Sequence, residues 1–353
     1  MDIIKRLFKF SWSAVLLASL SLVSSGCSSE QDEPTPPPSE PTPQIIVMYG
    51  PSGLGDQGYM DCILTGVQKF KRTHYSDVDM YQYSPTTMDE AERLLSDWLS
   101  LPQSNIPTLF VVASSDYESI VTEALSEHSL TDNKRMLMFE NDTQLDLPIT
   151  IFQMSMYGAS YLAGVTTAEY VKSLGEDAAN KDALILLAHP NDVTIAKSGA
   201  GFQEGFNSAG IDAKAFTEYL AEDWTGYISA QAAYQRMSTW SPNYAFVFPV
   251  AGGSNQGIYR YTREYPYSPL TAGMDVDQSG LSRNIIGSVI KHIDNVVYDF
   301  MEAWLTTGEL PESTVFGLES GYVDWLLSSN YSQYQPIVDV ARQEAIRKEA
   351  AEL

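Results

Sequence analysis

From Ile45 onward, apolar runs of strand length alternate with segments of helical period, and few folds accommodate that pattern. "IIVMY" precedes a helix around Tyr59–Thr73, and "VDMYQYS" precedes "TMDEAERLLSDWLS". "TLFVVAS" precedes "YESIVTEALSEH", and then come "RMLMFE" and "ITIFQ". A long helix, Met156 to Ser173, separates this series from a second one. The second runs through "DALILLAHP", a helix near Ala200–Ala209, "DAKAFTEYL", "YISAQAAYQRMST", "YAFVFPVA" and "LTAGMDV", and closes with a long helix over Asn284–Leu305. Uninterrupted apolar strands between helices predict mainly parallel sheets covered on both faces. Two such series predict an α/β chain of two lobes with a cleft between them. Ligands of such sheets bind at the carboxyl ends of the strands.

The segment before Ile45 belongs to export rather than to the fold. Lys5, Arg6 and Lys9 precede a short apolar run, Phe10–Val23, that ends in "LVSSGC". This reads as a signal peptide over 1–26 rather than a membrane span. Its end resembles a bacterial lipobox, which implies cleavage before Cys27 and lipid attachment to its sulfur. Residues 27–44, "CSSEQDEPTPPPSEPTPQ", are polar, acidic and proline-rich, and predict an extended tether. Only Cys62 then remains, so no disulfide framework is expected, and its apolar helical context makes it a small buried residue. The chain has 21 Lys and Arg against 45 Asp and Glu. Removing the leader with Lys5, Arg6, Lys9 and Asp2 leaves 18 against 44, a net charge of −26. Such a surface repels nucleic acid and anionic headgroups.

"IIVMYGPSGLGDQGYMDCILTGVQKF" carries Gly53, Gly55 and Gly58 in the G-x-G-x-x-G spacing of a dinucleotide loop. Asp56 stands inside the loop, where its charge opposes a pyrophosphate, and the next strand ends in Tyr83 and Ser84 without an acid for a ribose. No Walker lysine follows. The glycines read instead as a tight turn into a helix, with Asp56 near the positive end of the helix dipole. His74, His128, His189 and His292 are scattered, without metal-ligand spacing, and no G-x-S-x-G elbow occurs. Neither a metal, a cofactor nor a catalytic role is expected.

Five stretches resemble one family, in similar order and spacing over roughly Ile45 to Gly321. They are "GDQGYMDCILTGVQKF", "FQMSMYGASYLAGVTTAEYV", "DVTIAKSGAGFQEGFNSAG", "YAFVFPVAGGSNQGIY" and "TAGMDVDQSGLSRNIIGSVIKHID". The chain resembles the basic membrane proteins, or purine nucleoside receptor lipoproteins. The resemblance implies a two-lobed type I periplasmic-binding fold, with lobe 1 over 45–153 and 279–316 and lobe 2 over 154–278 and 317–353. It also implies a lipid-anchored solute-binding protein of the cell envelope, an ABC importer permease as partner, and a nucleoside-like ligand.

Carried over residue by residue, the resemblance places Tyr59 on one face of the base. Trp224 falls on the other face, with Tyr227 the fallback for that position. Asp275 and Asp277 read the ribose hydroxyls, both on one side if the strand continues. Lys291 donates near the ribose, and the backbone of Gly252 and Gly253 approaches the sugar. On the base side the chain departs from the family. Gly50 stands where an acid is usual, Glu140 matches an aspartate, and the loop after "VVAS" offers Ser114, Ser115 and Asp116. Asp56 completes the expected ligand-binding set. The rival readings are a surface-displayed structural lipoprotein, which the acidic "SSEQDE" after Cys27 permits, and a nucleoside-cleaving enzyme.

Overall fold

The computed structural model describes residues 41–102, 104–141, 144–175 and 181–353. Cys27, the leader and the tether before residue 41 lie outside the described residues.

The chain forms two six-stranded sheets. The first is ordered β11-β5-β4-β3-β1-β2, where β1 is Gln44–Tyr49, β2 Asp79–Tyr83, β3 Thr108–Ala113, β4 Lys134–Phe139, β5 Thr150–Met154 and β11 Thr314–Phe316. Its pairings are all parallel. The second is ordered β12-β10-β9-β8-β6-β7, where β6 is Ala183–Leu187, β7 Ala215–Tyr219, β8 Phe246–Val250, β9 Leu270–Asp275, β10 Ile285–Lys291 and β12 Val323–Leu327. Only β12 is antiparallel to its neighbour. Central strands such as β3, β6 and β8 are buried at every position, as strands covered on both faces must be.

Nine helices link or flank the strands among the described residues: α1 Tyr59–Thr73, α2 Met88–Leu99, α3 Glu118–Glu127, α4 Tyr157–Ser173, α5 Val193–Asn207, α6 Ala230–Trp240, α7 Asn255–Glu264, α8 Ile293–Thr307 and α9 Gln335–Glu352. Helix α4 is buried almost along its whole length, because it packs backbone to backbone against α5. A Cβ on Gly164 would stand 2.1 Å from the Phe202 carbonyl, and one on Gly205 would stand 2.0 Å from the Tyr161 carbonyl. Any larger residue at either position forces the helices apart.

The chain passes between the sheets three times: from β5 into α4, from β10 into α8, and from β11 to β12. The second passage corrects two sequence expectations. Residues 285–291 form a strand of the second sheet instead of the first part of a helix, so lobe 1 does not take up the chain at 279. Only α8, after Lys291, returns to pack on α1 of the first lobe. The strand is buried at every position, so it lacks the alternation that would mark it.

Candidate functional site

The carboxyl ends of β1, β3, β4, β6, β8, β9 and β10 converge on one cleft. The loop between β1 and α1 forms one wall. Gly53 and Gly55 take positive φ, as does Gln57 at 55°. Asp56 accepts the backbone N–H groups of Gly58, Met60 and Asp61, and Asp61 accepts those of Gly55 and Gln57. Asp56 therefore caps the start of α1 and holds the loop's shape. It lines the cleft with its oxygens already engaged. The loop also meets the second lobe. The Gln278 side chain donates to the Gln57 carbonyl at 2.7 Å, and a Cβ on Gly253 would stand 3.3 Å from the Asp56 Cβ.

Tyr59 begins α1 and lines the cleft. Lys291 lies over its ring, with the ammonium 4.6 Å from the centroid, and pairs with the Glu140 carboxylate. Both Lys291 and Glu140 are buried. Glu140 holds a positive φ of 60° directly after β4 and also accepts the Met154 N–H at 2.8 Å. Burial raises its carboxyl above the usual range, against the pull of Lys291. With Lys291 engaged, Asp275 has no cation in hydrogen-bonding contact among the described residues. It ends β9 at φ 68°, is 6% exposed, and burial pushes its carboxyl up to about 7, with Lys291 the main opposing influence. The Asp275 carboxylate lies against Gly58, where a Cβ would stand 3.1 Å from Oδ2, and the Tyr59 backbone nearby favours its charged form. Gly252 and Gly253 follow β8, and Gly252 has a positive φ of 51°.

Ser114 follows β3, donates to Asp116 Oδ2 at 2.9 Å and lines the cleft. The structure thus brings Asp56, Tyr59, Ser114, Glu140, Gly252, Gly253, Asp275 and Lys291 into one cavity. Two expected residues are elsewhere. Trp224 starts a short 3-10 turn and does not line the cleft; three residues on, Tyr227 does. Asp277 is exposed, caps the Ser279 N–H at 2.9 Å, and faces an outer groove beside Cys62 and His292. The strand ends at Asp275 with a left-handed residue, so the alternation that would align the two aspartates stops there.

Sequence reasoning missed Asp192. It caps α5 by accepting the Ile195 N–H and also accepts the Tyr227 hydroxyl at 2.6 Å. Its only sequence signal is that of an ordinary helix cap. With it, five carboxylates line the cleft (Asp56, Asp116, Glu140, Asp192 and Asp275) against the one ammonium of Lys291. The Tyr59 hydroxyl, buried and without a partner among the described residues, lies in the field of four of them.

The family model described as ABC transporter substrate-binding protein PnrA-like matches residues 44–351. The chain belongs to this family. It is a solute-binding protein of an ABC transporter, a role that implies a small-molecule ligand and a permease partner. No curated protein matches. Among solved structures, it is similar to an ABC transporter solute-binding protein from Aeropyrum pernix K1. That pair shares 15% identity over 88% of this chain and 85% of the other, with a TM-score of 0.67. It is also similar to a carbohydrate transporter solute-binding protein from Agrobacterium radiobacter, in complex with D-arabinose, at 16% identity over 86% and 99% and a TM-score of 0.62. These likenesses establish the two-lobed periplasmic-binding fold. No helix among the described residues is long and apolar enough to cross a membrane.

Proposed function

We propose that this solute-binding protein, held at the cell envelope by lipid on Cys27, captures a nucleoside-like small molecule and hands it unchanged to an ABC importer permease. The observation that carries the reading is Asp275. It is a buried carboxylate at a strand end, lining the cleft. A carboxylate in that position accepts both hydroxyls of a ribose diol, and a site built to take hydroxyls rejects analogues that lack them. Gly252 and Gly253 line the same cleft, and Tyr59 and Tyr227 supply aromatic surface for a flat ring.

The test is a thermal-shift screen of ribonucleosides, 2′-deoxyribonucleosides, free bases and pentoses, D-arabinose included. Ribonucleosides should stabilise the protein most and remain intact after incubation. Equal binding of adenine and adenosine would sink the ribose anchor, and release of free base would show an enzyme. Labelling of the exported chain with a radioactive fatty acid should be lost in Cys27→Ala; retention of label in that variant would refute the anchor.

A further inference from the structure

The first and third passages between the sheets share one anchor. Ser155, just past β5, donates its backbone N–H to the Phe316 carbonyl at the end of β11, at 2.7 Å, so the two segments are paired as they leave the first sheet. Beyond that pair, Glu349 of α9 holds both. Its Oε1 accepts the Ser155 hydroxyl at 2.8 Å and the Gly158 N–H at 2.9 Å, and its Oε2 accepts the Leu318 N–H at 2.6 Å. Glu349 is 2% exposed and does not line the cleft. The carboxylate fills space that side chains would otherwise take: a Cβ on Gly317 would stand 2.4 Å from Oε2, and one on Gly158 3.0 Å from it. A buried carboxylate is tolerated only where donors engage it, and hydrogen bonds to a charged acceptor are the stronger kind. Helix α9 itself belongs to the second lobe. It packs on α4, its Lys348 pairs with Glu204 of α5, and Lys197 of α5 donates to its Glu352 carbonyl at 3.0 Å. Glu349 therefore ties both passages to the second lobe close to where they leave the first. Ser155 directly follows the last residue of β5, and only Gly317 separates β11 from Leu318.

We infer that Glu349 is a positioning residue for ligand capture: it confines bending between the lobes to the few residues around Ser155 and Gly317, so that the lobes close in one orientation. Hinges are short stretches that absorb the backbone change, and a clamp on one side of the stretch sets the axis of rotation. A looser hinge spreads the lobes over orientations in which the cleft does not form. The apparent affinity then falls in proportion to the competent fraction, with every cleft residue unchanged. The effect is independent of the ligand's chemistry, since Glu349 stands outside the cleft. Glutamine at 349 is the sharp perturbation. It keeps the size but replaces one oxygen with an amide NH2, which sets a donor against either the Leu318 N–H or the Gly158 N–H.

The experiment measures the distance between the lobes by pulsed electron resonance. Spin labels are placed at Glu127→Cys on α3 and Thr239→Cys on α6, both exposed, in a Cys62→Ser background. Without ligand, Glu349→Gln should broaden the distance distribution about twofold while circular dichroism stays unchanged. Gly317→Ala, whose Cβ displaces Oε2 from Leu318, should broaden it in the same way, and it decides the matter if Glu349→Gln does not fold. Glu344→Gln, which breaks only a surface pair with Arg347 on the same helix, should leave the distribution as it was. In calorimetric titration with adenosine, the dissociation constant of Glu349→Gln should rise about fivefold, as it does when the competent fraction falls to about one fifth. If adenosine does not bind the parent protein, the nucleoside reading falls and the distance distributions decide alone. An unchanged distribution in the folded variants overturns the inference. So does equal broadening by Glu344→Gln, or undiminished adenosine affinity in Glu349→Gln.

Discussion

Replacing Asp275 by asparagine should stabilise the empty protein and weaken it as a receptor. Burial disfavours its charge and pushes the carboxyl up to about 7 in the native state, against an ordinary value of 3.8. Its folded value is the higher one, so native protein binds more protons than unfolded chain between those limits. Stability from this group is therefore greatest in acid, falls as pH rises from about 4 to about 7, and then levels off. Three units at about 1.4 kcal/mol each place the full penalty near 4 kcal/mol. Asparagine keeps the shape but does not titrate. Urea unfolding at pH 5 and pH 8 should show the advantage of Asp275→Asn over the native chain widening by about 2–3 kcal/mol between the two. Calorimetry with the best ribonucleoside should show binding about 5- to 150-fold weaker, the effect of losing a buried hydrogen bond of ~1–3 kcal/mol. An advantage that does not change with pH would refute the desolvated-acid account. Undiminished affinity would refute the diol-reading role.

Three further outcomes test the site and its frame. Lys291→Met should destabilise the protein by about 3–5 kcal/mol by stranding the buried Glu140 carboxylate, and adding Glu140→Gln should recover most of the loss; additive effects in a double-mutant cycle would contradict the pairing. Tyr227→Ala should weaken ligand binding by about tenfold, as loss of a stacking face does, whereas Trp224→Ala should leave affinity within about twofold; the reverse order in a titration would place the aromatic wall elsewhere. Gly205→Val should lower stability by about 1–3 kcal/mol or more through overpacking of α4 against α5, read by thermal denaturation, since its Cβ would start 2.0 Å from the Tyr161 carbonyl.

The alternation of apolar strands with amphipathic helices is a local property, and it alone determined the α/β class and the two series of elements. The glycine loop was readable for the same reason: Gly53, Gly55 and Asp56 act within a few residues of themselves, the first two by positive φ and the third by capping the helix beside it. Residues 285–291 were not readable. A strand buried on both faces has no alternation, and "IIGSVIK" suits a helix equally well until β9 and β12 pair with it. The placement of Asp277 failed on a single backbone angle at Asp275, and Trp224 lost its place to Tyr227 within one 3-10 turn. Asp192 looked like any helix cap, because a cap is recognised from its own chain neighbours, whereas its place in the cleft depends on Tyr227, 35 residues away. The charge of the cleft is likewise a tertiary property. Its five carboxylates come from five separate segments of the chain, and they share one electrostatic field only because two sheets bring their carboxyl ends together.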